Sequence, residues 1–436
     1  MNIRKLALNM LDEYELGGKY VNLSLSSHSA DSLTVEERAA LTVLLYTSVE
    51  KKITYDYYIC ALSGRSISDI DPHTLNILRL GMCQILDMNS IPDFAAVNET
   101  VKLARSKGES SFVNGVLRRA ARERDSLPMP DKNKNYKRYL SIKYSYPLWI
   151  VKLLDSCYGT ESCERILEFF NNEKYTDITV NTLKISENDM KNKLAESGID
   201  CESNFGAGLS LRIGKSVNPE RLSGFSSGEF FVQDRACVVS ALALDPKPND
   251  TVIDVCACPG GKSFAAAILM SDSGKVYSFD LHESKLSLIS DGSSRLGLTS
   301  VFPRALDATT PDEELFGKAD KVICDVPCSG LGVLGKKPDL RYKSEESALE
   351  LPALQYEILS ASVKYLKVGG ELLYSTCTLN PEENERVIER FLENNADYSA
   401  VDFTAAGYGS VGGMLTLLPH VHACDGFFMA KIKKVR

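Results

Sequence analysis

The 436-residue sequence predicts a three-part chain: an all-helical N-terminal domain, a small α+β middle unit, and a C-terminal α/β domain with a mostly parallel sheet. Three observations carry this reading. Apolar residues keep one-face helical spacing to about residue 125. A stretch rich in Pro, Lys and Asn, SLPMPDKNKNYKRYL, then breaks the pattern. From about residue 226, short apolar strands alternate with helix-length segments. The predicted domains are 1–130, 131–225 and 226–436.

Leu6, Met10, Leu11 and Tyr14 fall on one face of the first helix, and VEERAALTVLLYTSVEKKITYDYYIC and LNILRLGMCQILDM continue the helical pattern. The opening residues meet Asp12 and Glu13 before any extended apolar run, so they read as an amphipathic helix and not as a signal peptide. In VNETVKLARSKGESSFVNGVLRRAARERD we expect a helix, a Gly/Ser break at 108–111, and a second helix from about Phe112. Residues 101–124 hold seven basic side chains against two acidic ones. Among them Lys102, Arg105, Lys107, Arg118, Arg119 and Arg122 make a local positive surface on helices, the candidate phosphate contacts if the partner is nucleic acid. Residues 132–143 add five basic residues and no acid. The whole chain has a formal charge of -8, so a surface for nucleic acid must be local. No apolar run approaches the roughly 18 residues of a membrane-spanning helix.

The middle unit combines short helices (PLWIVKLLDSCYG, ESCERILEFF, NDMKNKLAESG) with two strand-like segments, DITVNTL and GLSLRI. In the last part, TVIDVCA, KVYSFD, SVFPRALD, KVICDV, GELLYST and FFMAKIKKV read as strands. KSFAAAILM, HESKLSLISDGSSRLG and LPALQYEILSASVKYLK read as helices between them. Such alternation predicts a parallel sheet covered on both faces.

The first of these strands runs straight into Pro259-Gly260-Gly261 and a helix. Glycine there permits a tight turn and close ligand approach, and a helix N-terminus offers free N–H groups. Asp280 ends the next strand, where a carboxylate accepts hydrogen bonds from ribose hydroxyls. The dinucleotide glycine fingerprint is absent, and Cys256 stands where a phosphate loop needs its first glycine. S-adenosylmethionine (SAM), which has no phosphate, suits such a crevice better.

Twelve cysteines are present, and most read as small buried hydrophobes. Cys328 in DVPCSG and Cys377 in STCTLN differ, because each lies in a polar turn at a predicted strand end. Strand C-termini form the ligand edge of a doubly wound sheet, so both are expected to face the crevice of Gly260 and Asp280. There they are candidate nucleophiles. His420 and His422 lack a third ligand with metal spacing, so no metal is expected.

DVCACPGGKS, DVPCSG and STCTLNPEENERVI resemble the most specific stretches of the bacterial 16S rRNA cytosine-5 methyltransferases of the B, or Sun/Fmu, type. SFVNGVLRR resembles the signature of their NusB-like N-terminal domain, and the resemblance covers nearly the whole chain. It implies a NusB-like RNA-binding domain, an RRM-like middle unit that positions RNA, and a Rossmann-like class I SAM-dependent methyltransferase domain. Carried over by motif, it makes Cys377 the nucleophile on cytosine C6, Cys328 the cysteine that helps release product, and Asp325 the acidic partner of the ring, also close to the cofactor. Asp325 would then be an acid whose proton affinity is raised by burial. Around SAM it implies Cys256, Ala257, Cys258, Pro259, Gly260, Gly261 and Lys262 at the methionine portion. Asp280 would lie at the ribose and Asp307 near the adenine, with Lys285 as a basic residue of the same pattern. Lys337, Pro338, Asp339 and Arg341 match a basic loop near substrate, with Lys337 and Arg341 as RNA contacts. Asp425 through Phe428 resemble the closing motif, with Cys424 where glycine is usual. The implied partner is 16S rRNA, naked or in an early small-subunit particle, for a cytoplasmic monomer with no metal and no membrane contact. Two alternatives remain: a cytosine-5 methyltransferase acting on tRNA or large-subunit rRNA, and a non-catalytic NusB-like RNA-binding factor.

Overall fold

The computed structural model describes residues 2–17, 33–172, 175–205, 208–214 and 218–436. The chain forms two compact units, Met1–Glu168 with Lys337–Lys343, and Phe169–Lys336 with Ser344–Arg436.

The first unit is helical. Helices Ile3–Gly17, Val35–Glu50, Lys52–Ser63, Pro72–Asp87, Asp93–Val101 and Lys107–Arg122 surround a core that includes Leu8, Leu11, Leu45, Ile59, Leu78 and Leu117. Helix Pro72–Asp87 is central, and every residue from Thr74 to Ile85 is buried. Most of that run is apolar, and its polar members Thr74, Asn76, Arg79 and Gln84 are hydrogen-bonded. The one arginine in that run, Arg79, donates to both carboxylate oxygens of Asp56 at 2.7 Å. Thr34 and Glu37 form a capping box at the start of Val35–Glu50, and Asp71 caps the helix that begins at Pro72.

The Gly/Ser break expected at 108–111 does not occur. Helix Lys107–Arg122 runs through it, because the Ser106 side chain caps the Glu109 N–H and a stripe of Val113, Val116, Leu117 and Ala120 is buried. The unit also continues past residue 130 through helices Tyr136–Tyr144 and Leu148–Tyr158. Ser145 Oγ, between those helices, accepts from the Ile53 N–H at 3.1 Å, and Thr54 Oγ1 donates to the Ile142 carbonyl at 2.5 Å.

The second unit carries two sheets. In the smaller, β1 (Thr176–Val180), β2 (Cys201–Ser203), β3 (Ser210–Ile213) and β4 (Phe230–Val232) take the antiparallel order β2-β3-β1-β4. Helix Glu187–Glu196 adds Met190 and Leu194 to a core of Ile178, Val180, Leu211, Ile213 and Phe230. β2 and β4 are three residues each, too short to show a period of two in the sequence. β4 lies beyond the boundary expected at 225, because it completes the edge that β1 leaves open.

The larger sheet contains β5 (Thr251–Asp254), β6 (Lys275–Asp280), β7 (Val301–Ala305), β8 (Ala319–Asp325), β9 (Leu366–Thr376), β10 (Tyr398–Ala400), β13 (Met414–Leu417) and β14 (Phe427–Lys434). β11 (Thr404–Ala405) and β12 (Tyr408–Gly409) form a separate hairpin. The order is β10-β14-β9-β8-β5-β6-β7, with β13 also on β14. β5 to β9 run parallel, and β14 is antiparallel to β9. The chain builds outward from β5 to β7, then crosses back to lay β8 on the other side of β5. That reversal opens a crevice at the C-terminal ends of β5 and β8, where ligands bind in sheets of this kind. Among the described residues, no helix is long and apolar enough to cross a membrane.

Candidate active site

The turn after β5 is held from both sides. The Ala257 N–H donates to the Phe279 carbonyl of β6, and the Gly260 N–H donates back to the Ala257 carbonyl, both at 2.7 Å. Gly260 has φ +109°, and a Cβ there would lie 2.4 Å from the Phe264 ring, so only glycine fits. Helix Gly261–Leu269 starts immediately after it, with no side-chain cap on its first N–H groups. At the end of β6, Asp280 Oδ2 accepts from the Cys258 N–H at 3.3 Å and Oδ1 accepts from the His282 N–H at 3.0 Å. The turn and Asp280 thus form one wall. Lys285 and Asp307 stand exposed at its margin, and Asp307 accepts from Thr309.

The other wall comes from β8 and β9. Their register sets Asp325 opposite Ser375, and the loops that follow run side by side. Cys328 Sγ and Cys377 Sγ are 3.3 Å apart. The Gly332 N–H donates to the Cys377 carbonyl at 2.9 Å, and the Gly426 N–H donates to the Gly332 carbonyl at 2.8 Å. A Cβ on Gly332 would meet the Gly426 oxygen at 1.9 Å, so glycine is what lets this loop lie against the Asp425–Phe428 segment. Lys336 extends from the same loop to Asp234 and Asp425.

Lys262 connects the two walls. Its Nζ lies 2.6 Å from Asp325 Oδ2, while Ser375 Oγ donates to Asp325 Oδ1 at 2.7 Å. The ammonium also stands 5.3 Å from the centre of the Phe427 ring. Burial by itself disfavours this ammonium, but Asp325, Cys237 and Asp254 together hold its pKa above the ordinary lysine value. Asp325 is thus one end of an ion pair, a partner that its own motif does not announce. The Cys377 thiol is pushed well above the usual thiol range, first by its hydrogen bond with Cys328, then by burial and by the charges of Cys328 and Asp325. In the free protein the candidate nucleophile is consequently a thiol and not a thiolate. Beneath the turn, burial pushes the Asp254 carboxyl up to about 7.

One RNA contact expected from sequence requires correction. Arg341 is fully buried, with its guanidinium 4.0 Å from the centre of the Tyr146 ring, 3.5 Å from Glu50 Oε1, and donating to the Glu50 carbonyl. It anchors residues 337–343 within the first unit and does not meet solvent; Pro338 is buried as well. In the sequence an arginine in a basic motif reads as surface charge, because its carboxylate partner is almost three hundred positions away. Lys337 is exposed, as are Lys102, Arg105, Lys107, Arg118, Arg119 and Arg122. Several of these already face acids: Lys102 pairs with Glu99, Arg105 with Asp71, and Arg119 and Arg122 with Glu123.

The structure thus gathers Cys328, Cys377, Asp325, Lys262, Asp280 and the glycine turn at one sheet edge. Sequence reasoning missed Lys336, Ser375 as a ligand of Asp325, and the buried Glu383. Ser375 and Glu383 lie in the quoted STCTLNPEENERVI stretch, but their partners come from other strands and loops. Among the described residues, no group of three or more His, Cys, Asp or Glu is placed to hold a metal ion.

Residues 241–433 match the family model described as 16S rRNA methyltransferase RsmB/F, and residues 1–122 match the NusB family. Residues 146–218 match the ferredoxin-like domain of RsmF/B-like methyltransferases. The chain is 36% identical to the Synechocystis protein named "Probable ribosomal RNA small subunit methyltransferase B", with 100% of both chains covered. It is 34% identical to the Bacillus subtilis protein of the same name, with 99% of each covered. Among solved structures, the crystal structure of PH0851 superposes with a TM-score of 0.82 at 28% identity, covering 99% of each chain.

Proposed function

The chain belongs to the bacterial RsmB/F family of 16S rRNA methyltransferases with a NusB-like N-terminal domain, and from that premise we propose that it methylates C5 of a specific cytosine in 16S rRNA through a covalent bond from Cys377 Sγ to C6. It is a SAM-dependent methyltransferase. The observation that carries the cytosine-5 reading is the 3.3 Å approach of Cys328 and Cys377 beside the Lys262–Asp325 pair. Two thiols and a carboxylate at one strand edge suit a reaction that needs a nucleophile, a proton acceptor and a partner for the ring.

The residues present fit SAM. Asp280 offers a carboxylate to ribose hydroxyls, and the uncapped N–H groups that start helix Gly261–Leu269 offer donors to the methionine carboxylate. When bound, SAM supplies an electrophilic methyl group. C5 of cytosine is a poor nucleophile, and adding a thiolate to C6 pushes electrons toward it. Since Cys377 rests as a thiol, it loses its proton to solvent as the base arrives, and Cys328, 3.3 Å away, stays available as a thiolate for the later proton removal. Asp325, placed by Lys262 and Ser375, meets the N3 edge of the ring and shares a proton with it as negative charge builds there. After methylation, Cys328 takes the C5 proton, the C5–C6 double bond re-forms, and the C6–Sγ bond breaks to free Cys377.

The target base must leave its stack, at a cost of a few kcal/mol, less in a loop than in a duplex. We assign flanking RNA to the exposed basic residues of 102–122, to Lys337 and to the small antiparallel sheet, which we read as RRM-like. Phosphate contacts there would position the RNA without reading its sequence. Bisulfite mapping of 16S rRNA from cells with and without the gene tests the target. We expect one cytosine to lose its methyl group; an unchanged 16S map with a lost site in tRNA or 23S rRNA would move the substrate. Cys377→Ser should abolish methylation and form no adduct, whereas Cys328→Ser should accumulate protein joined to RNA on denaturing gels.

A further inference from the structure

Glu383 lies in the second unit, and it has no solvent exposure. Among the described residues, its carboxylate is held only by neutral donors. Oε1 accepts from Ser329 Oγ at 2.6 Å and from Asn380 Nδ2 at 3.0 Å, and Oε2 accepts from the Ser329 N–H at 2.8 Å and from Gln355 Nε2 at 3.0 Å. Burying a charge is unfavourable unless its lone pairs are filled, and here they are. These donors are not scattered. Ser329 directly follows Cys328, and its Oγ is also 2.7 Å from Oγ1 of Thr378, which directly follows Cys377. Gln355 Nε2 donates as well to the carbonyl of Pro327, directly before Cys328.

The two cysteines are not equally secured without this carboxylate. Cys377 follows a strand paired on both sides, with Ser375 opposite Asp325 and Thr376 opposite Phe428. Thr376 Oγ1 also donates to Asn384 Oδ1 at 2.6 Å. Cys328 sits beyond the end of β8, between two backbone ties to the Cys377 strand, Val326 N–H to the Ser375 carbonyl and Gly332 N–H to the Cys377 carbonyl; the residues on either side of Cys328 itself are held through Ser329 and Gln355, which meet on Glu383.

We propose that Glu383 is a positioning residue that holds the Cys328 loop within reach of Cys377, so that product release depends on a carboxylate that touches neither RNA nor SAM. The proposal rests on the adduct mechanism above. Its consequence is specific: weakening Glu383 should slow release more than attack, because Cys377 keeps its place and Cys328 does not.

Glu383→Gln tests this. Whichever way the amide is turned, its NH2 group faces two donors, on the Oε1 side or on the Oε2 side. Purified full-length variants would be given SAM and labelled rRNA, with denaturing gels for adduct and single-turnover rates for methyl transfer. With both cysteines present, Glu383→Gln should accumulate the denaturation-resistant adduct that Cys328→Ser accumulates. Turnover should fall by about tenfold, with the rate of adduct formation and the SAM affinity within about threefold of wild type. Should that variant fail to fold, Ser329→Ala replaces it, since it removes the Oγ bonds and keeps the Ser329 N–H on Oε2. Wild-type turnover without adduct would overturn the proposal. So would parallel loss of turnover and adduct while Cys328→Ser still traps RNA, because that pattern marks a general disturbance. If Cys328→Ser itself traps nothing, the adduct mechanism fails first and takes this role with it.

Discussion

Replacing Asp254 by Asn should make the second unit more stable at pH 8 than at pH 5, relative to the wild-type protein. Asp254 ends β5 and is 1% exposed. Oδ2 accepts from Ser263 Oγ at 2.7 Å, and Ser263 Oγ in turn accepts from Ser278 Oγ at 2.8 Å. Oδ1 is buried without a hydrogen-bond partner among the described residues. Burial pushes this carboxyl up to about 7 from an unfolded value of 3.8; the Ser263 bond opposes the shift and the Asp325 charge adds to it. Because the folded value is the higher one, the unfolded chain releases this proton near pH 4 while the native state keeps it to about pH 7. Stability from this group therefore falls as pH rises through that window. A shift of about three units corresponds to ~4 kcal/mol once the pH exceeds 7. Asn cannot ionise, keeps an acceptor for Ser263, and leaves one buried amide edge unpaired at a cost of about 1–3 kcal/mol. The variant should thus come out near neutral or weaker at pH 5 and more stable at pH 8, with a relative swing of about 3 kcal/mol. Urea unfolding followed by circular dichroism measures this at both pH values. The transition of the second unit is identified by its upward shift with SAM, and Trp149 fluorescence reports the first unit separately. A stability difference between variant and wild type that does not change from pH 5 to pH 8 would refute the reasoning.

Three further outcomes are expected. Gly260→Ala forces a Cβ into the Phe264 ring at a left-handed φ, so SAM affinity measured by calorimetry should fall by at least about tenfold; unchanged affinity would remove the turn from the site. Arg341→Met leaves the buried Glu50 without its guanidinium, so the Trp149-monitored unfolding midpoint should drop by an amount equivalent to about 3–5 kcal/mol, and Glu50→Gln in the same chain should recover part of it. A midpoint unchanged by Arg341→Met would return that residue to the surface. Because the Cys377 thiol is held above the ordinary range, iodoacetamide at pH 7.5 should modify exposed Cys157 before Cys377, with Cys377 gaining rate only at alkaline pH; mass-mapped labelling of Cys377 first would contradict its resting protonation.

Much of the second unit was legible because its chemistry is local. An apolar strand that runs into Pro259-Gly260-Gly261 and a helix announces a ligand turn, since the glycine requirement arises within a few residues of chain. Asp280 and the two cysteine motifs could be assigned to one edge because strand C-termini in a parallel sheet share a side. The helical first unit was equally readable from its 3.6-residue period. Other features had no local signature. The strands Cys201–Ser203 and Phe230–Val232 exist because neighbouring strands supply their hydrogen bonds, and three residues carry no period. Whether a charged residue is buried depends on a partner that the chain brings from elsewhere. Lys262 meets Asp325 only because β8 is inserted beside β5, and Glu383 meets Ser329 only because β9 follows β8 in the sheet. Arg341, in a loop that reads as basic surface, is buried because Glu50 and Tyr146 enclose it. Sequence alone thus determined which groups could do chemistry and on which kind of element each sits. Tertiary structure decided which of them face one another, and so which thiol keeps its proton and which carboxylate is paired, because desolvation and charge pairing act through space and not along the chain.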